Sequence, residues 1–240
     1  MQAMILAAGK GERMRPLTDR IPKPMVLLAG KPLLQYQVEL LRNYGIKDLC
    51  INLHHHGEQI ERYFGGGGPF GVHIRYSYES ELMGTAGAVK KVEDWFKGSF
   101  LVLYADNLLS CPLDQIIEWH RQNHAQVTIG CVWLDQVRSS GILQFNADHR
   151  IERFLEKPAS EGDIFSHWVN AGLYVVEPEI ISQIPLQQPY DFGKDLFPSL
   201  LAAGFRIYAW PLVGYFLGID TSQRREKAEK DIMEGKYSQQ

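Results

Sequence analysis

The run Met4-Ile5-Leu6-Ala7-Ala8 ends at Gly9 and opens into Lys10-Gly11-Glu12-Arg13-Met14-Arg15-Pro16, and Pro22-Lys23-Pro24 follows shortly after. Physically this is a buried strand running into a glycine-containing, cationic turn. Gly9 and Gly11 let backbone N–H groups approach a ligand closely, and unpaired N–H groups in such turns form anion-binding concavities. Arg13 and Arg15 can each grip phosphate oxygens by two parallel hydrogen bonds. Lys23 adds a point charge on a segment stiffened by two prolines. The spacing Gly9-x-Gly11-x-x-Met14 misses the dinucleotide fingerprint at its third position, and Pro16, Pro22 and Pro24 break the helix that fingerprint needs. A Walker-type loop is absent too, since no Gly-Lys-Ser/Thr follows at the required gap. The plain alternative is a surface loop with solvated arginines. Glycines, paired arginines and Pro-Lys-Pro together point instead to a site for a polyphosphate.

Beyond this loop the pattern alternates. Ala3 to Ala8 reads as strand, and Pro32 to Tyr44 as a helix with proline in its first turn, Gly45 past its end, and Leu34, Val38 and Leu41 on one face. Asp48–Leu53 reads as strand, Glu58–Phe64 as helix, Val72–Tyr78 as strand, Thr85–Trp95 as helix, Phe100–Tyr104 as strand and Leu113–His124 as helix. This βαβα order implies a mostly parallel, doubly wound α/β sheet, in which ligands sit beyond the carboxyl ends of the strands. The second half changes character. Val127–Val132, Ile142–Phe145, Ile151–Leu155, His167–Val176 and Phe205–Trp210 read as strands, Asp195–Ala203 and Ser222–Met233 as helices, and the residues from about Glu234 as a frayed helix end.

With 240 residues, 45% hydrophobic and 22% charged, the chain suits one substantial core. A formal net charge of −3 gives no basic field for nucleic acid and no polybasic membrane anchor. No apolar run reaches a transmembrane length, and Met4-Ile5-Leu6 is too short for a signal-peptide core. Cys50, Cys111 and Cys131 are odd in number and lack ligand spacing, which suits buried thiols in the cytoplasm. Adjacent strand residues point to opposite faces, so His54-His55-His56 cannot easily chelate one ion; they read as loop residues entering a helix at Gly57.

The segment Ile5 to Pro24, continuing into Gly30-Lys31-Pro32-Leu33, resembles the signature of the sugar-1-phosphate nucleotidylyltransferases. Glu12 stands where that family often has threonine, as it does in muramate-phosphate uridylyltransferases. The resemblance runs from Met4 to about Thr221 and implies a Rossmann-like, three-layer α/β/α fold with added strands forming a sugar-binding part. It implies a single domain over 1–240, with a nucleotide-binding half to about 125, a sugar-phosphate-binding half over about 126–221, and a helix over 222–240. No hexapeptide repeat follows, so the left-handed β-helix domain of some relatives is not expected.

The resemblance also assigns residues. Leu6, Ala7, Ala8, Gly9 and Gly11, with Gly84 and Thr85 of Met83-Gly84-Thr85-Ala86-Gly87, correspond to the nucleotide site, with Thr85 as a plain helix cap the alternative. Asp106, after Phe100 to Ala105, stands where Mg²⁺ would be held by one or two carboxylates; an Asp opening a turn is the alternative. The family's second acid is displaced here: Gly218 occupies its usual place and Asp220 lies two residues on, within strand reach of the same face. Alternatively Asp220 or Thr221 caps the helix from Ser222. Glu156-Lys157-Pro158 resembles the motif whose lysine binds the sugar phosphate, against a solvated lysine at a hairpin end. Asn170-Ala171-Gly172 resembles the sugar-binding strand, against an Asn and Gly at a bulge.

These residues imply Mg²⁺-dependent transfer from a nucleoside triphosphate to a sugar 1-phosphate, releasing pyrophosphate. Arg13 and Lys23 would be the catalytic cations and Asp106 and Asp220 the metal ligands. GTP with mannose 1-phosphate is the first substrate pair. UTP with a hexose or muramate 1-phosphate follows, then a phosphocholine acceptor, and finally a non-catalytic nucleotide-sugar-binding regulatory subunit. Neither nucleic acid nor membrane is an expected partner, and the oligomeric state is open, a homo-oligomer included.

Overall fold

The structure is a computed structural model that describes residues 1–240 except Gln187, Gln239 and Gln240. Strand β1 (Gln2–Leu6) leads through three 3₁₀ turns (Glu12–Met14, Leu17–Asp19, Lys23–Met25) to β2 (Leu27–Leu28), β3 (Lys31–Pro32) and helix α1 (Leu33–Asn43). Then come β4 (Asp48–Leu53), α2 (Gly57–Phe64), β5 (His73–Tyr78), α3 (Gly84–Lys90) and β6 (Phe100–Tyr104). Next are β7 (Asn107–Ser110), α4 (Leu113–Gln122), β8 (Val127–Trp133), β9 (Gly141–Phe145), β10 (Ile151–Glu156) and β11 (Trp168–Val176). Last are α5 (Phe197–Ala202), β12 (Ile207–Pro211), β13 (Tyr215–Gly218) and α6 (Ser222–Met233).

The chain divides into two compact units, each assembled from separated stretches. The first comprises Met1–Leu82, Leu103–Leu113 and Val213–Gln240; the second comprises Met83–Val102 and Asp114–Leu212. In the first unit β1, β4 and β5 run parallel, with Met4 opposite Cys50 and Cys50 opposite Arg75. α1 supplies its crossover, buried through Leu34, Val38 and Leu41 as the helical period requires. The turn after α1 is fixed by Gly45, at φ +74°, while the Ile46 N–H donates to the Leu41 carbonyl. β7 and β13 pair antiparallel, with Asn107 opposite Gly218.

In the second unit β8 lies between β11, antiparallel, and β12, parallel, while β9 pairs antiparallel with β10. The edge or late strand expected at Phe205–Trp210 is β12, which pairs with β8. Burial pushes the Cys50 and Cys111 thiols up to about 12 and the Cys131 thiol also upward, so all three remain protonated, unpaired packing groups.

Three expectations need correction. The helix over Thr85–Trp95 stops at Lys90, and Glu93–Trp95 is a separate 3₁₀ turn that delivers Phe96 to stack on Phe100. The helix over Asp195–Ala203 begins as a π turn at Phe192–Leu196 and continues as α5, because Pro198 has no N–H to carry a regular ladder through. The segment from Glu234 does not fray as far as Ser238. Tyr237 is buried between Tyr36 and Tyr215, edge-on to both at 5.5 Å, and the Lys236 N–H donates to the Asp231 carbonyl. Tyr237→Ala is therefore expected to cost about 3 kcal/mol in urea unfolding, as truncation of a buried aromatic does. A frayed end would lose under about 0.5 kcal/mol.

Candidate functional site

The loop after β1 is built from the first unit's own core. Met14, which breaks the dinucleotide fingerprint, is the loop's anchor: it is buried among Val26, Leu28, Leu33, Tyr36 and Leu108. Gly11 lies at φ +65°, and a Cβ there would sit 3.0 Å from both Lys23 Cβ and Thr18 Cγ2, so only glycine fits. Its carbonyl accepts from Thr18 Oγ1 at 2.8 Å and from the Met14 N–H at 3.0 Å. Gly9 has nothing within 4 Å of where a Cβ would lie, which leaves its backbone approachable.

Leu6 and Ala7 are engaged by the scaffold. The Leu6 carbonyl accepts from the Ala105 N–H, and the Ala7 N–H donates to the buried Asn52 Oδ1 at 2.7 Å. Asn52 in turn donates to Glu79 Oε1. The three histidines do not converge. His54 bonds the Glu79 carbonyl, His55 the Thr18 carbonyl and His56 the Asp19 carbonyl, while Gln59 donates to the Arg20 carbonyl. His55, His56 and Gln59 tie the far end of the loop to the start of α2.

Lys23 is only 8% exposed, and its ammonium lies 2.6 Å from Asp106 Oδ2. Arg13 reaches out from the loop to Asp220 Oδ2 at 2.5 Å, with Arg13 mostly exposed and Asp220 mostly buried. The β7–β13 ribbon explains why acids 114 residues apart in sequence come together. Asp106 precedes β7, Asp220 follows β13, and the Ile219 N–H donates to the Asp106 carbonyl at 2.8 Å. Thr221 caps α6 by accepting from the Arg224 N–H, which leaves the Asp220 side chain to the site. Arg224 Nε stands 3.5 Å from Asp220 Oδ1, an atom that is buried and makes no hydrogen bond. Arg15 pairs only with Asp19 at 3.2 Å, both exposed, a contact worth little. Among the described residues no three His, Cys, Asp or Glu side chains form a metal cluster.

The second unit carries the other predicted residues. Gly84 lies at φ +74°, where a Cβ would meet the Tyr190 carbonyl oxygen at 2.6 Å. The first amides of α3 are already capped: Ala86 and Gly87 donate to the Tyr190 carbonyl, and Thr85 donates to Asp191 Oδ1. The Thr85 hydroxyl also donates to Asp191 and accepts from the Phe192 N–H. Thr85 thus fastens its segment to residues 190–192. Glu156 ends β10 with its carboxylate where Cβ atoms at Gly141 and Gly193 would lie within 2.5 Å, so both glycines make room for it. Burial pushes its carboxyl up; Lys157 opposes that shift and Asp191 adds to it. Lys157 holds φ +51°, an uncommon left-handed conformation for a lysine. Asn170 sits at a bulge in the β11–β8 register, its Oδ1 accepting from the Gly172 N–H and its Nδ2 donating to Tyr174 Oη. Gly172, at φ +65°, makes that bulge.

Asp191, Gly141, Gly193, Asn52 and Glu79 were not singled out in the sequence. Asp191 and Glu79 lie outside regular elements, Asn52 is a single polar residue in an apolar strand, and Gly141 and Gly193 open β9 and lie in the π turn; no local pattern marks them.

Because Glu156 has a higher pKa folded than unfolded, the folded state binds more protons between the two values, and stability falls as pH rises through that window. Glu156→Gln should therefore melt above wild type at pH 7, with the difference closing as pH falls below about 4, where both forms are neutral. A wild type more stable than the variant at pH 7 would contradict the desolvated carboxylate.

A family model described as nucleotidyl transferase matches residues 2–220. Among curated relatives, a UTP–glucose-1-phosphate uridylyltransferase of Synechocystis is 41% identical over 223 residues, covering 87% of this chain and 57% of that protein. A mannose-1-phosphate guanyltransferase of Yarrowia lipolytica is 33% identical, covering 91% and 60%. This chain thus spans about 60% of the length of these relatives. Among solved structures, HddC of Yersinia pseudotuberculosis superposes with a TM-score of 0.78 at 25% identity, covering 96% of this chain and 99% of that one. A UDP-glucose pyrophosphorylase crystallised with UDP-glucose reaches 0.82 at 20% identity, covering 98% of each chain, and shows the shared fold alone: mixed α/β with a mostly parallel central sheet. On the family match, the chain belongs to the nucleotidyl transferases.

Proposed function

We propose that the chain transfers a nucleotidyl group from a nucleoside triphosphate to a sugar 1-phosphate and releases pyrophosphate. The observation that carries this reading is the first unit's pair of acid–cation contacts, Lys23–Asp106 and Arg13–Asp220, beside a glycine loop. The acceptor is a phosphate monoester with a second pKa of about 6, so its attacking oxygen is already anionic at neutral pH. No general base and no covalent nucleophile are needed. That oxygen forms a bond to the α-phosphorus as the bond to the β-phosphate oxygen breaks, and the electron pair leaves on pyrophosphate.

The protein's part is positioning and charge stabilisation. Arg13, exposed at the loop, would meet charge growing on pyrophosphate, and Lys23 would hold the phosphates. The backbone at Ala8, Gly9 and Gly11 would lie against the triphosphate, and Gly84 and the Thr85 segment against the nucleoside. Lys157 would bind the acceptor's phosphate. Glu156 and the remaining hydrogen-bonding capacity of Asn170 would take sugar hydroxyls beside Gly172. The residues also fit a divalent cation. Mg²⁺ takes one or two carboxylates and completes its shell with phosphate oxygens and water, and Asp220 Oδ1 is a buried acceptor lacking a hydrogen bond. Asp106 and Asp220 would hold it, and when bound it would neutralise charge on the triphosphate. Three buried, unbridged cysteines support a cytoplasmic setting.

For the substrates, the 41% relative shifts the reading. UTP with glucose 1-phosphate now comes before GTP with mannose 1-phosphate, to which the Gly84-Thr85-Ala86-Gly87 segment leaned. Pyrophosphate release over a grid of the common triphosphates plus dTTP against glucose, mannose, heptose and muramate 1-phosphates is expected to peak at UTP with glucose 1-phosphate. A grid that stays silent while nucleotide still binds would overturn catalysis in favour of a regulatory nucleotide-sugar binder. In the active pairing Arg13→Ala should lower kcat by about 10² or more. The variant should remain folded, because Arg13 is itself mostly exposed and Arg224 stays 3.5 Å from Asp220 Oδ1. Turnover at the wild-type rate would remove Arg13 from the mechanism.

A further inference from the structure

Gln37 lies in the middle of α1, fully buried, beside the apolar Leu34, Val38, Leu40 and Leu41. A buried primary amide is unfavourable unless its N–H groups find acceptors. Here Nε2 donates twice, to the Tyr104 carbonyl and to the Asn107 carbonyl, each at 2.7 Å. Those carbonyls flank Ala105-Asp106. Between them the Ala105 N–H donates to Leu6 and the Asp106 carbonyl accepts from Ile219, at 3.0 and 2.8 Å. The backbone that carries Asp106 is thereby held from three sides: by β1, by the residue after β13, and by α1. Gln37 Oε1 is buried with no hydrogen-bond partner. The amide is oriented for its two donors and leaves its acceptor bare, which a residue selected for packing alone would avoid.

We propose that Gln37 is a positioning residue for Asp106. Its two N–H groups clamp the chain on both sides of the aspartate, so that the carboxylate is presented to a divalent cation and triphosphate. The proposal rests on the nucleotidyl-transfer reading and deepens it. Leucine and methionine fill the space without donors.

The test uses the full chain and a readout without turnover: Mn²⁺ binding in the presence of a non-transferable triphosphate analogue, followed by electron paramagnetic resonance. Amide exchange over residues 104–107 in the metal-free protein and thermal melting accompany it. Gln37→Leu and Gln37→Met are expected to weaken Mn²⁺ binding about tenfold or more, the effect typical of removing a group that orients a metal ligand. They should also speed exchange over 104–107 while leaving KM for the sugar phosphate unchanged. Val38→Ala, a fully buried neighbour on the same helix, should lower the melting temperature without altering Mn²⁺ binding.

If Gln37→Leu does not fold, Gln37→Met takes its place with the same expectation. Wild-type Mn²⁺ affinity in a folded Gln37 variant, or an equal loss in Val38→Ala, overturns the proposal. Asp106→Ala separates the levels. If it binds Mn²⁺ normally, Asp106 is no metal ligand and the assignment on which the proposal rests fails; if it loses Mn²⁺ while Gln37 variants keep it, only the positioning role fails.

Discussion

A lysine held between two prolines and almost removed from water needs a counter-charge, and in this protein Asp106 provides it at 2.6 Å. A buried ammonium without a partner would be costly, so the loop and the acid must be brought together by the fold. The rest of the first unit follows from that demand. Gly11 exists because Lys23 Cβ and Thr18 pack where its side chain would be, and Met14 pins the turn into the core between them. The β7–β13 ribbon then sets Ile219 beside Asp106, with Asp220 the next residue, and leaves Arg13, on the glycine loop, to neutralise Asp220. Each acid thus faces a cation, Asp106 against Lys23 and Asp220 against Arg13.

The second unit meets a different demand with similar means. A carboxylate half-removed from water at Glu156 is accommodated because Gly141 and Gly193 have no side chains, and burial drives its pKa upward. Lys157 beside it adopts a left-handed backbone that orients the end of β10. The α3 amino terminus is closed by Tyr190 and Asp191, so its dipole is satisfied within the protein and Gly84 alone accounts for the close approach there. Polar side chains in each unit mainly shape backbone.

What could be read in the sequence was what is local. Gly9 to Pro24 announces its chemistry within sixteen positions, and the alternation of strand and helix through Leu53 follows from apolar spacing. What escaped depends on tertiary pairing. Neither Asn107–Ser110 nor Tyr215–Gly218 alternates strongly enough to be called a strand, and each gains its conformation from the other, about a hundred residues away. Gln37 looks like one more polar residue on an amphipathic helix until Tyr104 and Asn107 are seen to face it. Asp191 sits in an irregular segment whose importance arises from contacts with Thr85 across more than a hundred residues. Met14 was visible only as a mismatch to a fingerprint, though its burial is what holds the loop.

The central claim is that Lys23 and Asp106 act as one unit in a polyphosphate site. The direct measurement is a double-mutant cycle on Mg²⁺–triphosphate affinity, with Lys23→Met, Asp106→Asn and the double variant. The account predicts a coupling of roughly 1–3 kcal/mol, since each single change strands the partner's charge and the double change does not. Losses that add to within about 0.5 kcal/mol would mean that the two residues act independently, and would contradict it.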